Sequence, residues 1–149
     1  MVTQLIHIPA AQQINAMQPE YAVAVEIERM HQFVAGWFRG EYEQAAFTQG
    51  FEDALHRDFE RITPSGLVVD RDAQIEMLAN ANGTSPFFRI ATSDIRLIAS
   101  YPDLLVAGCI EKQSGARNSE QVNLRRVTIL LTPGPRLRWL RVHETPASN

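Results

Sequence analysis

The stretch His56-Arg57-Asp58-Phe59-Glu60-Arg61-Ile62-Thr63-Pro64-Ser65-Gly66-Leu67-Val68-Val69-Asp70-Arg71 separates two halves of the chain that differ in hydrophobic period. Within it, Phe59 to Ile62 is a short extended segment. Thr63-Pro64-Ser65-Gly66 ends that segment, because the Pro64 ring pushes Thr63 out of helical geometry and Gly66 accepts a positive φ. Asp70 then offers an N-cap oxygen to a helix whose buried stripe is Ile75, Leu78 and Ala79. Asn80, Asn82 and Gly83 close this helix, and Pro86 follows.

Upstream, Val23, Ile27, Met30, Val34 and Trp37 recur at alternating spacings of four and three, which puts them on one side of a helix. Pro19 suits its first turn, and Gly36 and Gly40 bracket its end. A second helical segment is expected from Glu41 to Leu55, with Phe47, Phe51 and Leu55 stacked four apart. Gly50 interrupts it at a cost of about 1 kcal/mol relative to alanine, so a bend or two shorter helices also fit.

Downstream, Phe88 to Ile98, Leu104 to Glu111, Val122 to Leu131 and Leu137 to Val142 read as strands joined by turn-rich pieces. Short connections at Ser100 to Asp103 and Thr132 to Pro135 favour antiparallel neighbours. In the first of these strands Phe88 and Ile90 share one parity and Ile95 and Leu97 the other, which predicts a bulge near Thr92 to Asp94. Helices first and a meandering sheet afterwards specify the α+β class. The expected organisation is an N-terminal arm over 1–18, one domain over 19–145 and a tail over 146–149.

A chain of 149 residues with 45% hydrophobic and 21% charged residues buries a core without staples. A formal charge of -3 with its 14 basic residues scattered gives no reason to expect nucleic acid as a partner. Arg125 with Arg126, and Arg136, Arg138 and Arg141, either focus positive potential on an anionic small molecule or form a solvated face. Cys109, the only cysteine, sits in an apolar run and reads as a buried inert thiol. Neither a basic start followed by a long apolar segment nor a membrane-length run is present, so a cytoplasmic location is expected.

The sequence contains no GxGxxG or GxxxxGK[ST] phosphate loop, no Gly-x-Ser-x-Gly elbow and no His-Glu-x-x-His helix. The four histidines, His7, His31, His56 and His143, are dispersed. Neither a cofactor nor a metal is therefore expected.

The quoted run resembles the early strand and turn of the nuclear transport factor 2-like (NTF2-like) superfamily, nearest to its polyketide-cyclase-like and DUF4440-like bacterial domains. Asp58 and Phe59 stand where the family has an Asp-Phe pair entering a strand, Gly66 at its glycine turn and Arg71 at the start of its third helix. Trp139-Leu140-Arg141-Val142-His143-Glu144-Thr145 resembles the family's last strand. The resemblance implies a cone-like fold, with a curved mixed or mainly antiparallel sheet wrapped around N-terminal helices, and pairing of two copies through the outer sheet face. Thr132-Pro133-Gly134-Pro135 departs from the family's plainer turn, which puts the pairing of the last two strands in doubt.

Such a fold encloses a cavity for a small apolar ligand with a polar or anionic group. Trp37, Phe59 and Trp139 are candidates for its wall, or else fill the core. Asp58 is the candidate general base and His56, two residues away on the same strand face, its partner; both equally suit a surface strand entry. Trp139, Arg141 and His143 share one strand parity and suit either a clamp on a carboxylate or enolate, or a dimer contact. Arg61 offers a further cation and Tyr42 a hydroxyl donor. The resulting expectation is a cofactor-independent isomerase, cyclase or dehydratase working by acid/base catalysis. The rival is a noncatalytic dimeric binding or association module.

Overall fold

The computed structural model describes residues 18–148. The expected N-terminal arm lies outside the described residues, except for its last position.

Helix α1 spans Pro19–Arg39, with proline in its first turn and Gly40 at its C-cap. At φ 79° Gly40 turns the chain left-handed and donates its N–H to the carbonyls of Gly36 and Trp37. The expected stripe faces inward: Val23, Ile27 and Trp37 are fully enclosed, Met30 nearly so, and Val34 half-buried.

The second helix does not run from Glu41 to Leu55. A single turn of α-helix, α2 at Phe47–Gly50, lies between 3-10 turns at Gln44–Ala46 and Glu52–Ala54. The break follows Gly50, which packs closely: an added β-carbon there would stand 2.3 Å from the Phe33 ring. Breaking the helix there lets Phe47 and Phe51 both enter the core, with ring centroids 5.6 Å apart.

Strand β1 begins at Leu55, earlier than expected, and ends at Ile62. After the Gly66 turn (φ 88°), β2 at Val68–Asp70 pairs back on it, a strand that periodicity did not reveal. Helix α3 spans Arg71–Ala79, and Asp70 caps it by accepting from the Ala73 N–H at 2.9 Å. Four strands follow: β3 Arg89–Tyr101, β4 Leu104–Ser114, β5 Asn123–Thr132 and β6 Arg138–Pro146. The last strand takes in the first residue assigned to the tail.

One mixed sheet results, in the order β2-β1-β6-β5-β4-β3. Only β1 and β6 pair in parallel; the other neighbours, including β5 and β6, are antiparallel. The bend expected near Thr92 to Asp94 is a register shift between Ser93 and Arg96, with Asp94 at φ 50°. A further shift, between Leu130 and Leu131, leaves Leu140 of β6 without a register partner. Such bulges bend a sheet, and here the inner face closes over α1 as a cone-like α+β fold. Val127, Ile129 and Leu131 supply the fully buried centre of that face. Each such side chain contributes about 1.5–3 kcal/mol on burial.

Candidate functional site

Between the inner sheet face, α1 and α3 lies a cavity of about 350 Å³. Phe38, Phe51, Phe59, Phe88 and Trp139 give it an aromatic wall. Polar side chains gather along the row where β4, β5, β6 and β1 lie side by side.

His31 enters from α1, one turn after Ile27. Its Nδ1 lies 2.7 Å from the Ile27 carbonyl, which only accepts, so Nδ1 carries a proton and donates. Nε2 then faces Oε2 of Glu111 on β4 at 2.9 Å. Both side chains are over nine-tenths buried, at 9% and 7% exposure. Burial pushes the imidazole down, but the hydrogen bond and charge of Glu111 and the Ile27 carbonyl outweigh it, and the balance is raised above 6.5. Burial pushes Glu111 up, yet His31, Gln113 and Arg125 together bring it below its ordinary value. Both shifts favour the imidazolium–carboxylate form of the pair, and Gln113 Nε2 donates to the other Glu111 oxygen.

Arg125 stands directly opposite Glu111 in the β4–β5 register. Its Nη1 donates to Glu144 Oε2 at 2.5 Å, and Arg61 Nε donates to the other Glu144 oxygen. Arg61 also reaches Gln74 Oε1 on α3 at 3.3 Å. His31, Glu111, Arg125, Glu144 and Arg61 thus form a belt of alternating charge across the cavity. With three cations against two carboxylates, the belt keeps one net positive charge facing an aromatic space.

Phe59, Arg61 and Trp139 line the cavity, and the other sequence candidates do not. Trp37 is completely buried in the core, its indole N–H donating to the Leu78 carbonyl at 2.6 Å. Tyr42 packs outside on Phe33, with ring centroids 4.7 Å apart. Asp58 is 69% exposed, and its backbone N–H donates to His56 Nδ1 at 3.0 Å; neither residue lines the cavity. Trp139, Arg141 and His143 do not share a face, because the bulge at Leu140 changes parity. Trp139, Val142 and Glu144 point inward, Arg141 pairs with Glu60 at 3.2 Å, and His143 is exposed. Arg71 opens α3, and its Nη2 donates to the Glu52 carbonyl at 3.1 Å.

His31, Glu111, Gln113 and Glu144 escaped the sequence reading as site residues, and Arg125 entered it only as one of a pair with Arg126 that either attracts an anion or forms a solvated face. Most carried a legible signal. His31 follows Ile27 by four within the α1 stripe, and Glu111 and Arg125 continue the odd-numbered buried faces of their strands. Cys109 is buried, and desolvation pushes its thiol up to about 12, so it supplies no nucleophile. Among the described residues no group of three or more His, Cys, Asp or Glu is placed to hold a metal, and no helix is long and apolar enough to cross a membrane.

No family model and no curated protein matches the sequence. Solved structures do. An NTF2-like protein of unknown function from Pseudomonas aeruginosa is 28% identical with a TM-score of 0.76, over 84% of this chain and 98% of that one. A candidate dehydratase of the NTF2-like family from Streptomyces avermitilis is 12% identical with a TM-score of 0.69, over 89% of this chain and 100% of that one. A candidate scytalone dehydratase from Novosphingobium aromaticivorans is 12% identical with a TM-score of 0.65, over 92% of this chain and 89% of that one. At 12% identity these two share the fold alone. The sheet order, the bent strands closing over α1 and the likeness to the Pseudomonas protein together show that the chain belongs to the NTF2-like superfamily.

Proposed function

We propose that the cavity binds a small apolar molecule carrying a carbonyl or carboxylate and moves a proton on it without a cofactor, in an isomerisation or a dehydration. The buried His31–Glu111 pair, set beside a belt with one uncompensated positive charge, carries this reading. In the ion-pair form Glu111 is the base and His31 Nε2–H the acid. Each Glu111 oxygen spends one lone pair on Gln113 or His31 and keeps another for a substrate proton. Glu111 takes a proton from the carbon beside the carbonyl, and the cations Arg125 and Arg61 favour the charge that develops on oxygen. In a dehydration His31 gives its proton to the departing hydroxyl, which leaves as water. Glu111 then returns its proton to His31 across the hydrogen bond, and the pair is reset.

Solvent deuterium exchange tests this reading. Aromatic β-hydroxy ketones and carboxylates are incubated in D2O with protein and followed by NMR. Deuterium entering the α-position with wild type, and about 100-fold less with Glu111→Gln, is the expected result. Exchange that is equal in the two proteins removes Glu111 as the base.

A second reading is favoured by one observation: both His31 nitrogens and both oxygens of Glu111 and Glu144 already have partners within the protein. On that reading the belt ties α1 to the sheet, and the domain binds a ligand or a second copy without chemistry. Saturable binding with no exchange supports it. A sedimentation mass that doubles with concentration supports pairing through the outer sheet face.

A further inference from the structure

A second concavity, a cleft of about 520 Å³, lies outside the sheet between α1, α2 and the β5–β6 turn. Its floor is apolar, with Ala22, Phe33 and Leu137 buried beneath it. Two guanidiniums border it. Arg29 is neutralised by Glu26, which it grips through Nε at 2.8 Å and Nη2 at 2.6 Å, while its Nη1 donates to the Gly50 carbonyl at 2.8 Å. Arg136 has no such partner. Its Nη2 donates to the Gln49 carbonyl at 2.8 Å, and among the described residues no carboxylate comes within 4.0 Å of it.

Partial burial and the charge of Arg29 push the Arg136 guanidinium below its ordinary value, against the opposite pull of Glu26 and Asp53. A cation partly withdrawn from water, beside a second cation and with no carboxylate in direct contact, has its charge only partly offset. Its planar fork has donors left for a carboxylate. We infer that the cleft is a binding site, separate from the cavity, for a small carboxylate with an apolar body, its head on Arg136 and its body on the floor between α1 and Leu137.

The cleft also touches the cavity wall. Glu26 borders the cleft and accepts from the indole N–H of Trp139 at 3.3 Å, and Trp139 lines the cavity. Occupancy of the cleft therefore shifts Trp139 emission.

Calorimetric and fluorescence titrations with octanoate, octanamide and inorganic phosphate test the site. Octanoate is expected to bind, with its affinity weakened about tenfold or more by Arg136→Gln, about what one charge-assisted hydrogen bond supplies. Arg136→Lys, which keeps the charge and loses the fork, falls between the two. Glu111→Gln, which alters only the cavity, leaves the Arg136-dependent site in place. The inference is overturned if octanoate titrates wild type and Arg136→Gln alike, since any binding then belongs to the cavity. It is equally overturned if octanamide binds as tightly as octanoate, which removes the anion, or if phosphate does, which removes the apolar body. Thermal melts of both Arg136 variants within a few degrees of wild type show that the loss is local.

Discussion

His31 Nε2 lies 2.9 Å from Glu111 Oε2, an ion pair between residues eighty positions apart that pins α1 to β4, the strand beside the β3 edge of the sheet. Because His31 is raised above 6.5, its stabilising contribution is complete below that value and is lost as pH rises through its folded pKa. Glu111 is lowered from 4.5, so its contribution is complete above that value and is lost as pH falls through its folded pKa. The pair therefore favours folding most between pH 4.5 and 6.5. Urea denaturation across pH checks this, and His31→Gln is expected to flatten the decline above 6.5.

Glu111→Gln removes the hydrogen-bonding carboxylate and its charge while burial remains, so the His31 imidazole is expected to titrate below its wild-type value. NMR of the ring resonances reads this shift. An unchanged titration contradicts the pairing itself.

Glu144 is 4% exposed and holds Arg61 and Arg125 together. Glu144→Ala leaves two cations facing an aromatic cavity, and a loss of about 3 kcal/mol is expected, typical of breaking a buried pair. Urea midpoints at constant slope measure it.

The two tryptophans separate core from cavity. Trp37→Phe deletes the donor to the Leu78 carbonyl and is expected to cost about 1–3 kcal/mol while leaving ligand affinity unchanged. Trp139→Phe reshapes the cavity wall and frees Glu26 from the indole, so affinity falls. Equal effects of the two substitutions on binding contradict the placement of Trp37 outside the cavity.

Gly50→Ala drives a β-carbon into the Phe33 ring and is expected to destabilise by about 1–3 kcal/mol, as overpacking does. At Gly66 an added β-carbon would meet no atom within 4 Å, and only the positive φ opposes alanine, at about 1 kcal/mol. Thermal melts of the two variants rank them.

The sequence by itself determined the elements whose cause is local. The 4-3 stripe of α1, the Asp70 cap, the Gly66 turn and the parity change near Asp94 each arise among residues close together in the chain, and each is present. The segment over 41–55 is broken at Gly50, where the glycine already allowed a bend, but the Phe33 ring packed against it, seventeen positions upstream, is invisible to periodicity. Choosing Trp139, Arg141 and His143 as one face assumed an unbroken strand, and the bulge at Leu140 is set by pairing with β5. Only the tertiary structure decided the site. Its charge belt takes one residue from each of five elements, α1, β4, β5, β6 and β1. Each member, read alone, is an ordinary polar residue on an amphipathic element. What makes them a site is that the closed sheet withdraws them together from water, where neighbouring charges fix their protonation.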